Sequence, residues 1–271
     1  MDLASEYNNR VRVPDHHRII DGWAASAEAF RARVRGELDL AYGARSRNRV
    51  DVFPSPAGGG QGPLVVFLHS GYWVGLGKSW FSHLAAGANA LGLDFAVPGY
   101  SLCPEVTIPD IVDEIRQCCL FLRRHSGRRL ILAGHSAGGH LAACMAATDW
   151  EAYGARPDLI QGCLSISGLF DLRPLLAVPI NAKLRLNAVD ATIASPLLWP
   201  MPYRMPVDSW VGGLETPEFR RQAAALPAAW QGLGVPCRYE VLAKDNHFTL
   251  VDHLADPAHP MTRRLAEMAA G

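Results

Sequence analysis

Apolar and polar residues alternate along this chain between runs typical of strands and stretches typical of helices. Pro63-Leu-Val-Val-Phe-Leu68 is a continuous apolar run, and such a run predicts a strand buried on both faces. Comparable runs predict further strands at 38–42, 49–53, 93–97, 129–133, 162–166, 209–212 and 238–243. Helical patterns separate most of them, at 79–91, 108–124, 137–148 and 217–231, and one helical stretch at about 15–34 precedes them all.

Strands that alternate with helices indicate an α/β fold with a mostly parallel sheet and right-handed crossovers. We therefore expect a single domain over residues 1–271, opened by an N-terminal helical segment at about 1–36. A loop with Gly58-Gly59-Gly60 is expected at 54–63. In such a fold ligands gather at the carboxyl ends of the strands.

One region departs from the alternation. Residues 173–206 are helical at first and then rich in proline, with Trp199, Met201 and Tyr203 interleaved. The segment has two interpretations: a lid-like insertion that covers the strand ends, or a long connection that packs on the body. The sequence favours neither over the other.

Charge limits the class of partner. Lys and Arg number 26 and Asp and Glu number 26, so the chain lacks the positive excess that a phosphate backbone or an anionic membrane attracts. We expect a small-molecule partner, no nucleic acid and no membrane, and association into a homo-oligomer stays open. No apolar run approaches the roughly 18 residues of a membrane span, and the first residues are acidic rather than basic and apolar. These features predict a cytoplasmic protein.

Cysteine and histidine patterns indicate neither disulfides nor a metal site. The six cysteines form no CxxC pair and lie mostly among apolar neighbours, which is typical of reduced, buried thiols. The ten histidines include no HExxH motif. Asp15-His16-His17 is the nearest metal candidate, and a solvated helix start explains it better. We expect no metal and no organic cofactor.

Candidate chemistry centres on Gly134-His135-Ser136-Ala137-Gly138. The motif directly follows an apolar strand and directly precedes a helical stretch, the context of a nucleophile elbow. There a serine occupies a tight turn between strand and helix, and small neighbours let the two elements approach. The alternative is an inert turn serine. We predict Ser136 as a nucleophile.

A serine needs a general base, because its hydroxyl is a weak nucleophile at its free pKa. In this fold the chain order is serine, acid, histidine. His247 lies in the loop after the last predicted strand, where the base belongs, whereas the other histidines lie in the candidate motifs or beside helices. We predict His247 as the base.

The orienting acid should follow the preceding strand. Glu215 is the first carboxylate beyond that strand's end, in the loop before a helix that Pro217 opens. Asp208 precedes the strand, Asp245 is too near His247 in sequence, and Glu218 suits the first turn of a helix. We predict Glu215 as the acid.

Negative charge on the substrate oxygen requires backbone donors. His69-Ser70-Gly71-Tyr72-Trp73 follows the first long parallel strand, as the oxyanion loop of esterases does. We predict the amides of Gly71, Tyr72 and Ala137 as donors, and Tyr72 and Trp73 as substrate-binding residues. The aromatic residues of 173–206 are a further candidate surface for an aryl group, although aromatic side chains near strand ends also serve as plain core.

These residues resemble the kynurenine formamidase (arylformamidase) branch of the α/β-hydrolases, close to the hormone-sensitive-lipase-like esterases. The resemblance covers nearly the whole chain. Its motifs are Glu6-Tyr7-Asn8-Asn9-Arg10, His69-Ser70-Gly71-Tyr72-Trp73, Tyr100-Ser-Leu-Cys-Pro-Glu105, Gly134-His-Ser-Ala-Gly-Gly-His140, Ile166-Ser-Gly-Leu-Phe-Asp-Leu172, Glu215-Thr-Pro-Glu-Phe-Arg-Arg-Gln222 and Asn246-His247-Phe248.

The resemblance implies an α/β-hydrolase fold and hydrolysis of an N-formyl aryl amine without metal or cofactor, with the acid at Glu215. Ser70 departs from the family, which usually has a second glycine there. The same branch includes carboxylesterases that act on short-acyl esters, so an ester substrate is the alternative. A hydrolase-like fold that only binds a ligand is a third hypothesis.

Overall fold

An eight-stranded sheet forms the centre of the computed structural model, which describes residues 2–58, 60 and 62–271. The strand order across the sheet is β1-β2-β4-β3-β5-β6-β7-β8. The first two strands run antiparallel to their neighbours and all other pairs are parallel. The predicted α/β-hydrolase class with its mostly parallel sheet is confirmed. The strands are β1 (Glu37–Ala41), β2 (Arg49–Phe53), β3 (Leu64–Leu68), β4 (Phe95–Pro98), β5 (Leu130–His135), β6 (Ile160–Ile166), β7 (Val207–Gly212) and β8 (Cys237–Leu242).

Ten α-helices connect and flank the strands in the described part of the chain. They are α1 (Leu3–Glu6), α2 (Asn9–Arg12), α3 (His16–Arg33), α4 (Ala85–Ala90), α5 (Ile108–Ser126), α6 (Ala137–Ala146), α7 (Asn181–Leu184), α8 (Ala188–Ile193), α9 (Pro217–Gln231) and α10 (Pro260–Ala270). Short 3₁₀ helices lie at Lys78–Trp80, Ser82–Leu84, Glu151–Tyr153, Arg173–Ala177, Pro196–Leu198 and Leu250–Ala255.

Both faces of the sheet are covered, as the apolar runs require. In β3, Leu64, Val66 and Leu68 belong to one core cluster, while Val65 and Phe67 belong to the cluster on the opposite face. Side chains alternate between faces along a strand, so a strand covered on both sides has no polar positions. All five residues of β3 are fully buried.

Two stretches differ from the predicted elements. The predicted helix at 79–91 is two 3₁₀ helices followed by α4, because Ser79, Trp80 and the residues up to His83 are weak helix formers. The N-terminal segment holds three helices, of which the pattern predicted only α3. Gly59 and Gln61 of the predicted loop 54–63 lie outside the described residues. Within the described ranges no helix has the length and apolarity to cross a membrane.

Candidate active site

Ser136 occupies a sharp turn between β5 and α6. Its backbone has φ 57° and ψ −116°, a left-handed conformation that a residue with a side chain rarely adopts. Its amide donates a hydrogen bond to the carbonyl of Ile166 at 2.8 Å, which ties the turn to β6. Strained backbone of this kind is typical of functional sites.

Gly138, two positions after Ser136, occupies a place where only glycine fits. A Cβ atom at Gly138 would overlap the backbone carbonyl of Leu68, at the end of β3. Glycine therefore lets the first turn of α6 lie directly against the end of that strand.

The predicted base and the predicted acid are in direct contact. His247 Nδ1 lies 2.6 Å from Glu215 Oε2, and both side chains are buried. A carboxylate can only accept, so Nδ1 carries the hydrogen and Nε2 keeps a lone pair. This is the tautomer that a general base needs.

Four donors hold the Glu215 carboxylate. Oε1 accepts from the amide of Gly212 at 2.8 Å and from the Ser167 hydroxyl. Oε2 accepts from His247 and, at 3.4 Å, from Asn9 Nδ2. The carboxylate is therefore fixed in position and orientation. Sequence reasoning found neither Ser167 nor Asn9, because no pattern along the chain links them to the acid.

The other carboxylates weighed as the acid have partners elsewhere. None of them contacts His247 in the described part of the chain, and their partners are Arg264 for Asp208 (2.8 Å), His253 for Asp245 (3.1 Å) and Arg221 for Glu218 (2.7 Å). Glu215 is thus the carboxylate that the structure brings to His247.

Ser136 and His247 line the same cavity, which has a volume of about 470 Å³. Among the described residues no hydrogen bond joins the Ser136 hydroxyl to His247. Catalytic hydrogen bonds are often long without substrate and tighten when it binds. The geometry therefore provides a preformed imidazole–carboxylate pair and a serine on the cavity that the imidazole also lines.

His135, at the end of β5, supports the loop that carries His247. Its Nε2 lies 2.7 Å from the carbonyl of His247, and the two rings are 4.7 Å apart. Burial, with a smaller contribution from nearby His247, holds the pKa of His135 well below its usual range. The ring is therefore neutral, donates through Nε2, and fixes the backbone of the loop that carries His247.

His69 fixes the oxyanion loop. Its Nδ1 donates to the carbonyl of Ser70 at 2.7 Å, and its ring stacks on Tyr100, whose hydroxyl donates to the carbonyl of His69 at 2.7 Å. Burial lowers the pKa of His69 to about 3, so the ring is neutral. The Ser70 carbonyl and the Gly71 N–H belong to one planar trans peptide and point in opposite directions. By holding that carbonyl, His69 sets the direction of the Gly71 N–H.

The predicted oxyanion donors are free to bind. The amides of Gly71, Tyr72 and Ala137 donate to no other described residue. Gly71 has φ 125° and Tyr72 has φ 55°, and a Cβ atom at Gly71 would overlap the carbonyl of Gly75. The loop thus adopts a left-handed turn that requires glycine at its first position.

Of the two predicted substrate-binding residues, Tyr72 lines the cavity and Trp73 does not. Trp73 is fully buried, with its ring edge-on to His140 at 5.1 Å between centroids. Its own left-handed backbone, φ 56°, accompanies this placement in the core. The expectation for Trp73 is therefore corrected: it is a core residue.

The segment 173–206 contributes four apolar residues and one lysine to the cavity, and none of its aromatic residues. Val178, Pro179, Ile180, Ala182 and Lys183 line the cavity, whereas Trp199, Met201 and Tyr203 do not. The remainder packs on the body, with Leu175, Leu184 and Ala194 buried in the core.

The cavity is lined by two basic side chains. Arg10 and Lys183 line it, and no Asp or Glu is among its described lining residues. Neither cation forms an ion pair within the described ranges. No group of three or more His, Cys, Asp or Glu side chains that could hold a metal is present there either. The further lining residues are Ala4, Tyr7, Asn8, Asn9, Ile20, Trp23, Ser70, Gly71, Val74, Leu76, His135 and Phe248.

Known proteins are similar to the chain over most of its length. A family model described as alpha/beta hydrolase fold matches residues 65–250. The kynurenine formamidase of Danio rerio is 28% identical, over 97% of this chain and 92% of its own. The crystal structure of a candidate thioesterase from Silicibacter sp. TM1040 is 38% identical, with a TM-score of 0.88 and full coverage of both chains. An esterase from Pyrobaculum calidifontis shares the fold at 17% identity and a TM-score of 0.69, over 97% of this chain and 92% of its own.

Proposed function

We propose that this chain, which belongs to the α/β-hydrolase fold family, is a serine hydrolase that cleaves an aryl formamide or a small ester through an acyl-enzyme. One observation carries the proposal: the buried contact of 2.6 Å between His247 and Glu215, beside the cavity that His247 and Ser136 both line. Glu215 is not itself a lining residue, as suits an acid that acts on the base rather than on the substrate.

In the proposed reaction, Ser136 Oγ forms a bond to the substrate carbonyl carbon while His247 Nε2 takes the hydroxyl proton. The carbonyl oxygen becomes an oxyanion, which the amides of Gly71, Tyr72 and Ala137 stabilise. His247 then gives the proton to the nitrogen or oxygen of the leaving group, and the bond to that atom breaks. Water attacks the acyl-enzyme by the same proton transfers, and the acid product leaves.

Glu215 acts on the base rather than on the substrate. Its carboxylate holds His247 in the productive tautomer and stabilises the imidazolium that forms during each proton transfer. His69 acts in a similar indirect way on the oxyanion donors, through the Ser70–Gly71 peptide.

Two observations favour an aryl formamide substrate over a simple ester. The likeness to the kynurenine formamidase of Danio rerio extends over nearly the whole chain. In addition, Arg10 and Lys183 give the cavity positive charge, which suits the carboxylate of N-formylkynurenine. A short neutral ester uses neither cation.

Kinetics on two substrates test the choice. Purified protein is assayed on N-formylkynurenine and on p-nitrophenyl acetate, with Ser136→Ala as the background. A formamidase shows the higher kcat/KM on N-formylkynurenine. A value lower on the formamide by several orders of magnitude overturns the formamidase assignment and leaves the carboxylesterase.

The cationic residues give an independent check. Arg10→Gln lowers kcat/KM for N-formylkynurenine by about tenfold relative to p-nitrophenyl acetate, because about 1.4 kcal/mol of ionic binding is lost. Arg12→Gln is the matched control, since Arg12 is exposed in the same helix α2 and does not line the cavity. An unchanged ratio for Arg10→Gln contradicts binding of the carboxylate there.

A further inference from the structure

Residues 6–9 contact both the loop that carries Glu215 and the predicted oxyanion loop, yet the proposed reaction assigns them no role. They belong to Glu6-Tyr7-Asn8-Asn9-Arg10, one of the motifs on which the sequence resemblance depends. Tyr7 and Asn9 are only 3% and 5% exposed. Buried polar side chains need specific hydrogen-bond partners.

One set of partners is the loop that carries the acid. The Thr216 hydroxyl donates to the carbonyl of Glu6 at 2.7 Å, and the amide of Glu218 donates to the Glu6 carboxylate at 3.0 Å. The Tyr7 hydroxyl donates to the Glu218 carboxylate at 2.6 Å. Three hydrogen bonds thus attach this segment to the residues directly after Glu215.

Asn9 reaches the acid itself. Its side-chain amide donates at 3.4 Å to Glu215 Oε2, the same oxygen that accepts from His247 Nδ1. This contact is long for a hydrogen bond, so its strength is modest. The contact orients the group more than it stabilises it, because it limits rotation of the Glu215 carboxylate away from His247.

The second set of partners is the oxyanion loop. The Tyr72 hydroxyl donates to the carbonyl of Tyr7 at 2.7 Å. Burial raises the pKa of Tyr72 well above its usual range, so the hydroxyl keeps its proton and stays a donor. The segment that holds the acid loop therefore also holds the residue whose amide is a predicted oxyanion donor.

We propose that residues 6–9 are a positioning element of the active site: Asn9 orients the carboxylate of Glu215, and the carbonyl of Tyr7 anchors the oxyanion loop through Tyr72. The element fixes the position of the acid relative to the oxyanion donors, although the two follow different strands. The proposal rests on the catalytic roles proposed above. Asn9 also lines the cavity, and the role proposed for it is exerted through Glu215.

Asn9→Leu tests the proposal, because leucine keeps the number and branching of the side-chain heavy atoms and removes the donor. We expect kcat to fall about tenfold with KM changed less than threefold. The low-pH limb of the kcat/KM profile moves to higher pH. Without the Asn9 donor the Glu215 carboxylate keeps more of its negative charge, so it stabilises the His247 imidazolium more strongly. Glu215 and His135 are the titratable side chains that the structure shows against His247, and His135 stays neutral.

Two further variants serve as controls. Asn9→Gln keeps an amide donor and recovers part of the loss. Val11→Ala, an exposed change in the same helix, leaves kcat and KM unchanged.

A second readout does not depend on turnover. The His247 Nδ1 proton gives a strongly deshielded ¹H NMR resonance, which is assigned by its loss in Glu215→Gln. In Asn9→Leu this resonance shifts or broadens, and in Val11→Ala it does not. An unchanged resonance, or a loss of kcat that simply adds to that of Glu215→Gln in the double variant, overturns the proposal. Wild-type protein that shows the resonance and its response to Asn9→Leu but hydrolyses no acyl substrate contradicts the proposed function alone.

Discussion

Glu215 and His247 illustrate how single residues acquire a role from their surroundings. Each is an ordinary ionisable side chain, and the two are buried in contact with each other. The acid is further fixed by Gly212, Ser167 and Asn9, so it cannot turn away when the imidazole changes charge. At this scale the account depends on hydrogen bonds that each orient the next group.

Glu215→Gln is expected to lower kcat by about 10³–10⁴, because an amide cannot select the tautomer or stabilise the imidazolium. Steady-state kinetics measure the loss, and circular dichroism verifies that the variant is folded. Asp245→Asn is the matched control, since Asp245 lies two residues from His247 but pairs with His253. A large loss in Asp245→Asn with little loss in Glu215→Gln would show that the acid is wrongly assigned.

The sequence predicted Ser136, His247 and Glu215 as site residues because each follows a strand end, and a strand end is recognisable as the end of an apolar run. The structure brings Glu215 to His247 and places Ser136 on the same cavity, and the catalytic roles stay predictions. Trp73 could not be placed that way, since its direction depends on a left-handed turn rather than on its position after a strand. The contacts of Asn9 and Ser167 with Glu215 could not be predicted either, because 206 and 48 residues of sequence separate them from Glu215.

At the scale of elements, the site depends on how closely α6 packs on the strands. The end of β3 and the first turn of α6 approach so closely that Gly138 leaves no room for a methyl group. This contact holds Ser136 beside the oxyanion loop, which begins directly after β3.

Gly138→Ala should therefore reduce the free energy of unfolding by about 3 kcal/mol or more, since its new methyl group overlaps backbone that cannot move aside. Urea unfolding measures the change. Gly22→Ala is the control: Gly22 is exposed within α3, a Cβ atom there meets nothing within 4 Å, and the change should stabilise by about 0.5–1 kcal/mol. Equal effects of the two substitutions would contradict the close packing of α6.

The sequence predicted most elements of the sheet and its flanking helices, because burial on both faces leaves a strong apolar signal in strands such as β3. It did not predict α1 and α2 as separate helices. Both are four residues long; no residue of α1 is buried, and the one buried residue of α2, Asn9, has a distant polar partner rather than a place in an apolar stripe.

At the scale of the whole molecule, burial of neutral histidines ties stability to pH. Burial lowers the pKa of His69 to about 3 and of His140 to about 4, and holds the pKa of His135 well below its usual range. In the unfolded chain all three titrate near pH 6.5. Below that pH the unfolded state binds protons that the folded state refuses, so acid favours unfolding.

The free energy of unfolding should thus fall as pH falls from about 6.5 to 4, by up to about 4 kcal/mol per pH unit when all three histidines contribute about 1.4 kcal/mol each. Urea unfolding at pH 7, 6 and 5 measures this slope. In His140→Gln the slope should be smaller by about a third. The same slope in wild type and variant would show that His140 is not buried in its neutral form.

Covalent trapping tests the central claim, that Ser136 is an activated nucleophile, most directly. A fluorophosphonate is incubated with folded protein, and intact-mass and peptide spectrometry locate the adduct. The account predicts one adduct per chain, on Ser136, formed with loss of fluoride and absent from a folded Ser136→Ala variant. No adduct on the folded wild-type protein, or an adduct on a different residue, would contradict it.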